Sequence, residues 1–199
     1  PTMAATNTPV IEATTMVEVP SATPEETPST AAGVQVAPAD WRRFYDAEYG
    51  IELWHPPGTS AEIGEPARPE FSSIEYPEGI VEDQLFVVRV IHEEGGALGP
   101  PGPQVILEVK LVANPEGKSV GEVADLFSKR CPVELLSLPQ ATTINVHLSG
   151  YRYDCEGMMV FTEFWSPHPA DPQIVFGAVW SDMSAPLSDE ILATVAFVE

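Results

Sequence analysis

Val105-Ile106-Leu107-Glu108-Val109-Lys110-Leu111-Val112 alternates around two charged positions, and Leu85-Phe86-Val87-Val88-Arg89-Val90-Ile91 is its upstream counterpart. Both runs are β-branched or apolar and of strand length, so both read as strands of a covered sheet. The segment between them, Glu93 to Pro103, holds four glycines and three prolines and reads as a long exposed hairpin loop. Downstream, Thr142–Leu148, Tyr151–Glu156, Met158–Trp165 and Ile174–Ser181 have the same character. Gly150, Gly157 and the Ser166–Pro172 stretch separate them at short spacing, which suits an antiparallel meander.

Two helices punctuate this pattern. Ser119 followed by Glu122 is a capping box, and Val120, Val123, Ala124 and Phe127 form an apolar stripe behind it. Lys129 and Arg130 favour the C-terminal end of that helix, and Pro132 stops it. A last helix is predicted from Ser188, with Ile191, Leu192 and Val195 on one face. Upstream, Trp41–Tyr45 and Gly50–Trp54 read as strands joined by the Asp46–Gly50 turn, and Pro56-Pro57-Gly58 ends the second. The Glu- and Pro-rich residues 59–84 offer one edge-strand candidate, Phe71–Tyr76. The expected class is α+β: an antiparallel sheet of about six or seven strands flanked by helices, in a single domain over residues 40–199.

Composition divides the chain. Residues 1–39 have six Pro, eight Thr and eight Ala, with no aromatic and no Lys or Arg. Such a stretch buries too little to offset its ordering entropy and reads as a disordered or extended stalk. Stalks of this kind commonly separate an anchor or signal peptide from an exported domain. The expected location is therefore extracytoplasmic, secreted or held by a lipid anchor in a segment upstream of Pro1. The whole chain has 199 residues, 44% apolar, with nine Lys+Arg against thirty Asp+Glu and a formal charge of −21. That balance argues against binding to nucleic acid or an anionic membrane surface, and favours a protein partner with a basic surface. No apolar run is long enough to span a membrane as a helix.

The order of elements resembles the PsbP-like family. Tyr45-Asp46 followed by Tyr49-Gly50-Ile51-Glu52-Leu53-Trp54-His55-Pro56-Pro57 resembles that family's opening. Leu148-Ser149-Gly150-Tyr151-Arg152-Tyr153 resembles its glycine-led strand after the middle helix, and Glu190-Ile191-Leu192-Ala193-Thr194-Val195-Ala196-Phe197 its closing motif. Pro57-Gly58 stands where a tryptophan often follows the proline, and the 93–103 loop is not a family hallmark. The resemblance spans roughly residues 41–199 and implies an α/β/α sandwich. Its members include a photosystem extrinsic subunit, a Ran-binding import factor and bacterial lipoproteins of unassigned role. It implies binding or assembly and transfers no catalytic residue.

The residues that carry chemistry are sparse. Gly117-Lys118-Ser119 has the ending of a phosphate loop, but Val112 stands where its first glycine belongs, so a turn and helix cap is the expectation. His55, His92, His147 and His168 lack metal-ligand spacing, and His147 is expected on a strand. Cys131 and Cys155 either form a disulfide or lie unpaired as small buried hydrophobes. A bridge would close a loop of about 25 residues, for which loop entropy suggests roughly 3 kcal/mol. Glu93-Glu94 and Asp182 with Asp189-Glu190 are weak cation candidates better read as solvated faces, and Trp54, Trp165 and Trp180 are expected in the core. The reading is a non-catalytic, extracytoplasmic binding or assembly domain with no cofactor. The alternative is a small-molecule or divalent-cation binder with a pocket near the 93–103 loop.

Overall fold

The backbone of Gln104–Ala113 lies in the interior of a β-sheet, with one strand hydrogen-bonded on each side. The structure, a computed structural model, describes residues 36–66, 83–93, 102–131, 133–157 and 159–198. The edge-strand candidate Phe71–Tyr76, most of the 93–103 loop and most of the 1–39 stretch lie outside these residues. In chain order the strands are β1 (Arg42–Asp46), β2 (Ile51–His55), β3 (Thr59–Ile63), β4 (Gln84–His92) and β5 (Gln104–Ala113). Helix α1 (Val120–Ser128) follows, then β6 (Glu134–Leu135), β7 (Gln140–Thr143), β8 (Ser149–Glu156), β9 (Val160–Pro167) and β10 (Ile174–Ser181). A 3-10 turn at Asp182–Ser184, helix α2 (Ala185–Ala193) and β11 (Ala196–Phe197) close the chain.

The described strands form two antiparallel sheets. One has three strands in the order β1-β2-β11, and the other has eight, in the order β3-β4-β5-β10-β9-β8-β6 with β7 also on β8. The expected single sheet of about six or seven strands is thus corrected to an eight-stranded sheet and a separate three-stranded one among the described residues. The strands that the residues did not reveal are β3, hidden in a Glu- and Pro-rich context, and the two-residue strands β6 and β11. Pairs that short have no periodicity to read.

Alternation along the strands sorts the large sheet into two faces. Leu107, Val109 and Leu111 of β5, Phe164 of β9 and Phe176, Ala178 and Trp180 of β10 share one core cluster with Ile191 and Leu192 of α2 and Ile51 and Leu53 of β2. Val112, Tyr153, Cys155, Trp165 and Val175 share the other with Val123, Ala124 and Phe127 of α1. The expected helix-flanked sandwich therefore holds on one face. On the other, α2 shares the covering role with the three-stranded sheet.

Local chemistry sets the helix ends. Ser119 Oγ accepts from the Glu122 N–H at 3.3 Å while the Glu122 carboxylate accepts from the Ser119 N–H at 2.9 Å, the expected capping box. The last helix starts at Ala185, earlier than the expected Ser188, because Pro186 suits a first helical turn. Ser188 is fully buried inside the helix, and its hydroxyl donates to the Ile106 carbonyl at 2.9 Å. Thr142–Leu148 is also corrected: β7 stops at Thr143, so His147 lies in a turn. Asn145 makes that turn, accepting from the His147 and Leu148 N–H groups at 2.8 and 2.9 Å. Its amide donates to the carbonyls of Leu192, Ala193 and Val195, so one buried side chain satisfies the C-terminal end of α2.

Candidate functional site

Polar chemistry concentrates at the β8 end of the large sheet, both inside it and along its edge. Inside, three side chains of the α1 face lie against one another. The Tyr153 hydroxyl donates to Glu163 Oε2 at 2.6 Å, and Trp165 Nε1 lies 3.1 Å from the same oxygen. Lys110 stands with its amine 5.0 Å from the Trp165 ring centroid, and Phe127 of α1 stacks on that ring at 4.3 Å. Tyr153 and Trp165 are fully buried, Lys110 is 4% and Glu163 9% exposed. Burial, then the neighbouring Glu163 carboxylate, push the Tyr153 phenol far above its ordinary value. A phenol held that firmly protonated is a hydrogen-bond donor, not a base. Tyr153, Glu163 and Trp165 pair their polar atoms with one another beneath α1.

Cys131 and Cys155 are joined in a disulfide, with Cα atoms 5.2 Å apart. Cys155 lies on β8 directly opposite Leu135 of β6, and Cys131 follows the end of α1. The bridge therefore fixes the helix end and the start of the outermost strand to one point of the sheet.

That outermost strand forms the second polar feature. β6 ends the path of the eight-stranded sheet, and Glu134 stands directly across from Glu156. The Val133 N–H donates to the Glu156 carbonyl at 3.2 Å and the Leu136 N–H to the Asp154 carbonyl at 2.8 Å. Asp154 is held in turn by Ser137 and Thr162, whose hydroxyls lie 3.2 and 2.7 Å from its oxygens. Along this edge Val133, Leu136, Leu138 and Met159 are exposed at 68%, 48%, 74% and 49%. Exposed apolar side chains thus lie among carboxylates on this edge of the sheet. The sequence reading missed it, because the short run Val133–Leu136 after Pro132 looks like a loop leaving a helix.

The remaining sequence candidates fall elsewhere. Gly117-Lys118-Ser119 forms a tight turn held by Asn114, whose side-chain Oδ1 accepts the Lys118 N–H at 3.0 Å; the helix start beyond it is occupied by Ser119 and Glu122. A cavity of 160 Å³ lies beside this turn, floored by Val123, Leu126, Phe127 and Val175, with Glu116 and Lys118 at its lining. His55 is buried against Thr59, His92 and His147 are partly buried, and His168 lies in the loop before β10. Glu94 lies outside the described residues. Asp189 pairs with Arg152 at 3.5 Å, and its carboxyl is raised by burial against the opposing pull of that arginine. Among the described residues, no three His, Cys, Asp or Glu side chains are grouped to hold a metal ion. Trp165 and Trp180 are core residues, and Trp54 is half-buried with its Nε1 donating to Glu52 at 2.9 Å.

No family model matches the chain. No curated protein matches it. Among solved structures it is similar to the solution structure of cyanobacterial PsbP (CyanoP) from Synechocystis sp. PCC 6803, at 14% identity and a TM-score of 0.45, over 81% of this chain and 95% of that one. The likeness concerns the fold alone. No helix among the described residues is long and apolar enough to cross a membrane.

Proposed function

We propose that the chain is a non-catalytic, extracytoplasmic binding or assembly domain that docks a protein partner with a basic surface. The observation that carries this reading is the fate of its few cations. Thirty acidic residues face nine basic ones in the chain. Four of the described cations pair internally: Arg43 with Glu52, Arg89 with Glu108, Lys118 with Glu116 and Arg152 with Asp189. The surplus carboxylates leave a negative field that steers a basic partner and repels another copy of the chain. The closed polar cluster beneath α1 supports a structural role for the molecule's most perturbed side chain.

The test is association of the full chain with proteins of an envelope extract at two salt concentrations. A partner retained at low salt and released at high salt is the expected result. Retention that is indifferent to salt removes the electrostatic basis of the proposal. A second reading, small-molecule binding, draws on the 160 Å³ cavity beside α1, not on the 93–103 loop. An open pocket of that size, part apolar and part polar, has room for a small ring. Under this reading such a compound raises the melting temperature in proportion to its saturation, and no shift across a panel of small aromatics counts against it.

A further inference from the structure

We propose that the β6 edge is a docking strand for an extended partner segment that alternates apolar side chains with lysine or arginine. This rests on the basic-partner reading and assigns that partner's place and form.

An outermost strand presents backbone donors and acceptors that a neighbouring chain can pair with, and side-chain pockets then set specificity. The large sheet has two such edges among its described strands, and their charges differ. At the β3 edge Glu62 lies across from Arg89, a cation that it shares with Glu108 on the far side. At the β6 edge Glu134 lies across from Glu156, a like-charge pair that opposes folding. Edge protection would be served by a lysine at either place, without that repulsion. Two glutamates become favourable once a cation lies between or beside them. Val133, Leu136, Leu138 and Met159, all about half exposed or more, supply apolar contact at and beside this two-residue strand.

Charge decides the occupant. The chain's own residues 1–39 contain no lysine or arginine but include Glu12, Glu18, Glu25 and Glu26. A second copy brings its own charge of −21. Both are repelled, whereas a basic extended segment from another protein gains at each glutamate and relieves the pair. The edge is also ready-made. The Cys131–Cys155 bridge and the Leu136 N–H to Asp154 hydrogen bond hold it in register, so little ordering remains for the partner to drive.

The experiment uses the intact chain and a short synthetic peptide alternating lysine and valine, followed by fluorescence anisotropy. Two control peptides replace the lysines with glutamate or the valines with glycine. The alternating peptide is expected to bind at least about tenfold more tightly than either control. Glu134→Gln with Glu156→Gln is expected to weaken its binding about tenfold while raising the melting temperature, because repulsion is removed. Glu62→Gln with Glu65→Gln, at the opposite edge, is expected to change binding less than twofold. Equal weakening by both double variants overturns the docking edge and leaves the basic-partner reading standing as diffuse attraction. Salt-insensitive binding of the alternating peptide, or none at all, overturns both. A further variant, Leu138→Ser, exposes no new charge and is expected to weaken binding without altering its salt dependence; unchanged affinity there overturns the apolar half of the proposal.

Discussion

His168 accepts two backbone hydrogen bonds on one ring nitrogen: the Ala170 and Asp171 N–H groups lie 3.3 and 3.2 Å from its Nδ1. That nitrogen must carry no proton, so the folded ring is neutral with its proton on Nε2. Its edge rests on Phe197 of β11, with centroids 4.7 Å apart. His55 is also buried; because the Thr59 hydroxyl donates to the Pro56 carbonyl at 2.7 Å, His55 Nδ1 donates to Thr59. Burial lowers the pKa of both rings below the ordinary histidine value, against smaller upward pulls such as that of Asp171 on His168. A histidine depressed in the folded state contributes stability that is complete above about pH 6.5 and is lost as pH falls through the folded value. Urea midpoints are therefore expected to fall as the pH drops through the range just below about 6.5, and His168→Asn is expected to flatten that slope. A midpoint constant across that window excludes this account. Tyr153→Phe is expected to cost about 1–3 kcal/mol, because it strips a buried carboxylate of its shortest hydrogen bond. Gly150 has a packing reason to be glycine: a Cβ there overlaps the Trp165 carbonyl, so Gly150→Ala is expected to lower the melting temperature steeply.

At the scale of elements, the bridge between Cys131 and Cys155 joins α1, β6 and β8. Replacing both cysteines by serine is expected to cost roughly 3 kcal/mol by loop entropy. The structure adds a spatial expectation. Hydrogen exchange should rise first along Val133–Leu136 and at the end of α1, and only later in β5 and β10, the centre of the large sheet. Uniform loss of protection would mean that the bridge supports the whole domain equally. Ser119→Ala is expected to cost about 1 kcal/mol, read by urea unfolding, since it removes one half of a reciprocal cap.

The same elements show what the residues alone reveal. Ile174–Ser181 was legible at both ends, because an apolar run bounded by turn residues has one reading. Asn145 was not, because its effect depends on α2, whose last carbonyls lie close to 50 positions further along. The polar cluster was hidden for a related reason. Lys110 and Glu163 look like solvent-facing members of alternating strands, and only the arrival of α1 and the neighbouring rings makes them interior. The candidate edge needs knowledge of strand order, which periodicity does not carry.

At the scale of the whole molecule, the large sheet is two strand sets joined side by side. β3, β4 and β5 pair successively, β8, β9 and β10 pair successively, and β10 meets β5 along a seam from Val179–Glu108 to Ile174–Ala113. The small sheet repeats the idea: β11 pairs with β2, and the Val198 N–H donates to the Gly50 carbonyl at 2.6 Å. Beginning and end of the domain are thus neighbours, and each half lacks the strand that completes its sheet until the other exists. Closing such separated pairs has an entropic cost before any contact compensates it, which places folding in the millisecond-to-second range. Stopped-flow refolding should fall there, and a chain ending at Thr194 should leave β2 open to hydrogen exchange; microsecond refolding would contradict the topology. On the ribosome the consequence is one of timing. The strand that closes the small sheet follows all its partners in translation, so β2 stays unpaired on that side until the ribosome has passed Phe197.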